Sequence, residues 1–186
     1  ILLVPFYDDN NNVPKFFDKL LQSKDDEVKM NTAIVLLKNN KTVADSIVLN
    51  FAAADKTRGK LYAALEKVKR TDKFPAAYKT QELMARSFLA MERGYSKPDS
   101  IVLIAKQRAA YNNKKGTVYF FKYRQKKDDG WKIGISGLQP ENENEVSSDD
   151  KLARITDKKL KEDKPVDEHM QEQLKKIIFT YHASAT

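Results

Sequence analysis

The sequence predicts an α+β protein: antiparallel helices over residues 1–97, then a three-stranded antiparallel β-meander packed with a C-terminal helix over residues 98–186. Three observations lead there. Between residues 13 and 93, apolar residues recur at spacings of three and four, as in helices that bury one face. Residues 100–111, 117–126 and 131–137 instead concentrate Ile, Val, Tyr, Phe and Trp, and turn-forming Asn-Asn-Lys-Lys-Gly and Lys-Lys-Asp-Asp-Gly runs separate them. After an acidic connector, helical spacing returns behind Pro165.

Taken in order, Pro14 suits the first turn of a helix that carries Phe16, Phe17, Leu20 and Leu21 on one face. Asp25, Asp26 and Glu27 place negative charge at the start of a second helix, with Val28, Thr32, Val35 and Leu36 as its stripe and Asn39-Asn40 as its end. Thr42 is the expected N-cap of a third helix through Ile47, Val48 and Phe51. A fourth spans 57–69, and a fifth follows Phe74-Pro75 with Leu83, Met84, Phe88 and Leu89. Short connections imply antiparallel neighbours.

In the meander, the turns place Tyr111 opposite Thr117 and Gln125 opposite Trp131. One register then sets Ile101, Leu103, Ala105, Tyr119, Phe121, Tyr123, Trp131, Ile133 and Ile135 on a core face. Lys106, Arg108, Lys122, Arg124 and Lys132 share the other face, with Lys106 opposite Lys122 and Arg124 opposite Lys132. Residues 139–150 are acidic and poor in apolar residues, and 151–164 have no clear pattern. The last helix carries Val166, Met170, Leu174, Ile177, Ile178 and Tyr181 as its stripe, to be laid on the apolar face of the meander.

The stretch from Ser23 to Leu37 resembles the second helix of a HEAT repeat, a pattern of Asp, Val and a basic residue followed by a small residue and leucines at helical spacing. Asp25, Val28, Lys29, Ala33 and Leu37 match, with Lys in place of the family's Arg, and Pro14 to Gln22 is the partner helix. The resemblance covers one copy and implies a binding scaffold rather than an enzyme.

Charge is concentrated in the meander. Residues 100–138 hold nine basic residues against Asp128 and Asp129, +7 of the chain's net +8. The absence of cysteine excludes disulfides, thiolate metal sites and Cys nucleophiles. No apolar run reaches the roughly 20 residues that a membrane-spanning helix needs. The opening Ile-Leu-Leu-Val-Pro-Phe-Tyr reads as the interior of a longer protein. No phosphate loop, zinc-protease motif or nucleophile elbow is present. His169 beside Glu168 and Glu172 reads as an exposed helix face, and His182 as a chain end, so no catalytic residue, metal or cofactor is expected.

The functional expectation is a non-catalytic interaction or scaffold module that binds another protein, or another domain of its parent chain, through Lys106, Arg108, Lys122, Arg124 and Lys132. The alternative is nucleic-acid binding through the same face; Tyr119, Phe121 and Tyr123 point away from the cations and so argue against base stacking. A third possibility is an accessory domain of an enzyme whose active site lies elsewhere. The acidic connector is a candidate to fold over the basic face and neutralise it.

Overall fold

The computed structural model describes residues 3–9, 12–92, 100–111, 114–125, 130–150, 152–160 and 164–183. The turn residues Asn112, Asn113 and 126–129 lie outside the described residues, as do the side chains of Ile177, Ile178, Tyr181 and His182. Residues Ile1–Lys79 form one compact unit and Thr80–Thr186 a second.

The first unit contains a short 3-10 turn (Val4–Phe6) and helices α1 (Asn12–Leu21), α2 (Asp26–Lys38), α3 (Asp45–Ala53) and α4 (Asp55–Lys67). Asp25 caps α2, accepting from the backbone N–H groups of Glu27 at 2.8 Å and Val28 at 3.3 Å. Thr42 does not cap α3, which starts at Asp45 after an Ala44 that has no side-chain acceptor to offer. Ala54 both ends α3 and begins α4. Arg58, 2% exposed, holds this corner by donating to Ala52 O at 2.8 Å, Ala53 O at 2.7 Å and Asp55 Oδ1 at 2.7 Å. Three charge-assisted bonds offset the desolvation of this cation, whose burial no local pattern announces. Phe17, Leu36, Phe51, Ala52, Leu61 and Leu65 are the buried centre of the unit. Phe16 and Val28, placed in apolar stripes by spacing alone, are exposed instead.

α2 and α4 are both 13 residues long and end alike. After α2, Asn40 turns left-handed (φ 57°) and the Lys41 N–H reaches Leu36 O at 2.9 Å. After α4, Lys69 does the same (φ 58°) and the Arg70 N–H reaches Leu65 O at 2.8 Å. The basic residue of each closure then reaches back along the chain. Lys41 pairs with Asp8 and lies 5.1 Å from the Tyr7 ring centroid; Arg70 donates to Leu37 O and, at 3.0 Å, to Asn40 Oδ1.

The second unit begins with α5 (Gln81–Glu92), followed by β1 (Ser100–Tyr111), β2 (Lys114–Arg124), β3 (Lys132–Gln139), β4 (Arg154–Lys159) and α6 (Val166–Ala183). The strands form one antiparallel sheet in the order β1-β2-β3-β4. The α+β class and the meander are present as expected, and β4 extends the sheet. Its sequence, Arg-Ile-Thr-Asp-Lys-Lys, has too little apolar alternation to announce a strand. α5 packs on the sheet: Ala85 and Leu89 join Ile101, Tyr119, Phe121 and Tyr123 in one cluster. Gly134 permits this approach, since a Cβ there would fall 2.5 Å from Leu89 Cδ2. α6 covers the opposite face, where Met170 and Leu174 meet Val118, Phe120, Ile133 and Ile135. The aromatic face expected to receive the C-terminal helix is therefore occupied by α5, and both faces of the sheet are core.

The expected register is overturned at both hairpins. Tyr111 pairs with Lys114, not Thr117, and Ala105 with Phe120, not Tyr123, while a bulge between Leu103 and Ala105 shifts the pairing to Leu103↔Phe121 and Ile101↔Tyr123 and so keeps Ile101 and Leu103 on the aromatic face. On the other side Phe121 pairs with Gly134 and Phe120 with Ile135. The first change flips residues 105–111 relative to β2; the second, a one-residue slip, flips β3. Ala105, Ile133 and Ile135 thus leave the Tyr119–Phe121–Tyr123 face for the α6 side. The physical reason lies in β2, where Val118, Tyr119, Phe120 and Phe121 form an unbroken apolar run. A strand buried on both faces has no polar alternation to specify its register.

Candidate interaction surface

The five cations expected on one face are divided by this register. Lys106 stands opposite Tyr119, Arg108 opposite Thr117 and Lys132 opposite Tyr123, all on the α5 side of the sheet. Lys122 stands opposite Val102 and Ile133, and Arg124 opposite Ser100, on the α6 side. The predicted like-charge oppositions, Lys106 with Lys122 and Arg124 with Lys132, do not occur.

The two groups differ in environment as well as direction. Lys122 Nζ lies 4.8 Å and Arg124 Cζ 4.9 Å from the centroid of the Trp131 ring, and all three side chains are half-buried. Their stems cover apolar surface and their charges rest on the indole quadrupole. Lys132 is also half-buried, whereas Lys106 and Arg108 are exposed. Lys115, exposed and opposite Ala110, projects on the same side as these two. Sequence reasoning placed Lys115 in a turn; because β2 begins at Lys114, it is a strand residue and joins the patch. Lys106, Arg108 and Lys115 are therefore the exposed cations that the hairpin brings together.

A strap formed by residues 140–150 lies on this same side. Gln81, 4% exposed at the start of α5, donates its amide to Pro140 O at 2.8 Å and to Asn142 O and Glu145 O at 2.9 Å. Its Oε1 accepts from the Tyr119 hydroxyl at 3.1 Å. Burial, with help from the nearby negative charges of Glu143 and Glu82, pushes the Tyr119 hydroxyl up to about 12, so it stays a donor. At the far end of the strap, Asp150 accepts from Ser136 Oγ, from Gly137 N at 2.7 Å and from Leu152 N at 2.9 Å. Burial raises its pKa to about 6 in spite of those donors. Ser147 N donates to Gln139 Oε1 at 2.9 Å between these anchors. Held this way, the strap brings Glu143 within 3.0 Å of Lys106. The acidic connector thus does fold onto the sheet, and among the described residues it neutralises Lys106 while Arg108 and Lys115 have no ion-pair partner.

Other features resolve into structure. His169 is 7% exposed, not on an exposed helix face as expected, because it shares the sheet-facing side of α6 with Met170 and Gln173. Among the described residues, no group of His, Asp and Glu could hold a metal ion. A cleft of about 320 Å³ in the first unit is lined by Lys41, Arg70 and Lys73, but Asp8 pairs with the first and Asp72 with the other two. Among the described residues no helix is long and apolar enough to cross a membrane. No family model, curated protein or solved structure matches this chain.

Proposed function

We propose that this chain is a non-catalytic protein-interaction module, a helical scaffold joined to a sheet domain that presents a cationic contact surface. One observation carries the reading: Lys106, Arg108 and Lys115 are exposed together beside a rigidly anchored strap, while Lys122 and Arg124 are drawn down onto Trp131. The repeated helix pairs support the scaffold part, since α2 and α4 share length, closure and a backward-reaching basic residue, as stacked HEAT-like hairpins would. Division of the cations between two faces favours a compact protein contact over a continuous phosphate track.

The test is comparative capture from cells that make this protein. Wild-type chain, the K106E/R108E/K115E variant and the K122E/R124E variant are each immobilised, and the bound proteins are quantified. The reading expects a partner retained by wild type and by K122E/R124E and lost from the triple variant. A partner set identical for all three removes the surface, and recovery of nucleic acid in place of protein moves the function to the alternative.

A further inference from the structure

Among the described residues β1 is an edge strand, with β2 as its only neighbour in the sheet. It runs for 12 residues, long for an edge, and such an edge offers its outer row of backbone N–H and C=O groups to another strand. Past the bulge at residues 103–105 the pairing with β2 is regular from Ala105 to Tyr111, and Lys106 and Arg108 project from that stretch. Lys115 adds a third positive charge one strand in, opposite Ala110. The chain also supplies a carboxylate to this surface itself. Glu143 pairs with Lys106 at 3.0 Å, with the two side chains 74% and 55% exposed. So exposed a pair is weakly held and readily exchanged.

We infer that the β1 edge takes an extended, acidic segment of a partner protein by strand addition, and that Glu143 is a resident stand-in for one of the partner's carboxylates. The inference rests on the interaction-module reading above and names the class of partner. Charge selects it: each carboxylate set opposite Lys106 or Arg108 forms a favourable cross-strand pair, whereas a basic segment meets three like charges. A second copy of this chain is disfavoured on the same ground. Antiparallel pairing of β1 with itself, centred between Lys106 and Arg108, sets cation against cation.

The experiment displays random 12-residue peptides to the full chain and measures the enriched sequences by fluorescence anisotropy at low ionic strength. Enrichment of peptides with alternating Asp or Glu is expected. K106E/R108E should weaken them about tenfold or more, and E143Q should strengthen them about two- to fivefold by removing the competitor. N-methylation of alternate backbone amides, in one of its two phases, should abolish binding if the peptide adds as a strand. The circular dichroism of the variants controls for folding, which substitutions at exposed positions should preserve. Enrichment of peptides that are not acidic, or acidic peptides indifferent to K106E/R108E or to N-methylation in both phases, overturns the edge inference and leaves the module reading standing. Failure to enrich any peptide likewise overturns the edge inference, and together with identical capture by all three chains above it overturns both.

Discussion

Lys106 and Lys122 are both strand lysines in the same hairpin, yet one reaches solvent and the other lies against a ring. Lys106 stands opposite Tyr119 on the α5 side and meets an exchangeable glutamate; Lys122 stands opposite Val102 and lies 4.8 Å from the Trp131 ring centroid. The contrast separates cations left at the surface from cations that finish a domain. Counting charge along a strand does not make that separation, because it depends on which helix covers which face.

The two faces are divided by an aromatic pair. Phe120 and Phe121 are adjacent in β2, fully buried, and belong to the α6-side and α5-side clusters respectively. Each Phe→Ala variant should lose about 3–5 kcal/mol in denaturant unfolding. A cost near zero for Phe120→Ala would show that the α6 side is not core and return the register to question.

The strap belongs to the α5 side alone, and pH reports on it. Burial raises the pKa of Asp150 to about 6 from 3.8, so its ionised form is the one the fold disfavours. Stability should therefore rise as pH falls through about 6 toward 3.8, by roughly 2–3 kcal/mol, and level off below. Asp150→Asn should flatten that interval. An unchanged pH profile in the variant would show that Asp150 is solvated and the strap loosely attached. Gln81→Leu removes the amide that grips the carbonyls of Pro140, Asn142 and Glu145, and should cost about 1–3 kcal/mol. Hydrogen exchange should then quicken in residues 140–150 and stay unchanged in β4 if the strap opens as a separate piece.

The smallest effects belong to the two lysines themselves. Lys122→Ala should cost about 0.5–1 kcal/mol through its lost contact with Trp131. Lys106→Ala should cost less, because its glutamate partner is exposed. Equal costs would erase the distinction on which the surface rests.

Much of the fold is legible in the residues themselves. Asp25 caps the helix it was expected to start, and the meander follows its β-branched and aromatic runs. Legibility ends where local pattern stops carrying information. Register depends on alternation, and the run from Val118 to Phe121 has none because helices cover both its sides. The site inherits that error: Lys106, Arg108 and Lys132 do share a side, Lys122 and Arg124 join them only if the expected register holds, and Lys115 reads as a turn residue although it is the second residue of β2. Arg58 and His169 show the same limit in burial. A charged or titratable residue on a helix reads as exposed until the packing of that helix is known.

The grip of Gln81 on the strap also imposes an order in time. Its amide bonds carbonyls 59, 61 and 64 residues further along the chain. A contact of that sequence separation waits for the intervening hairpin to form, since closing so long a loop is rewarded only once β1 to β3 bring its ends together. During synthesis α5 and the first hairpin emerge before Glu143 does, so Lys106 is made before its glutamate. The nascent chain thus carries all three exposed cations of the edge before its own acidic segment has arrived.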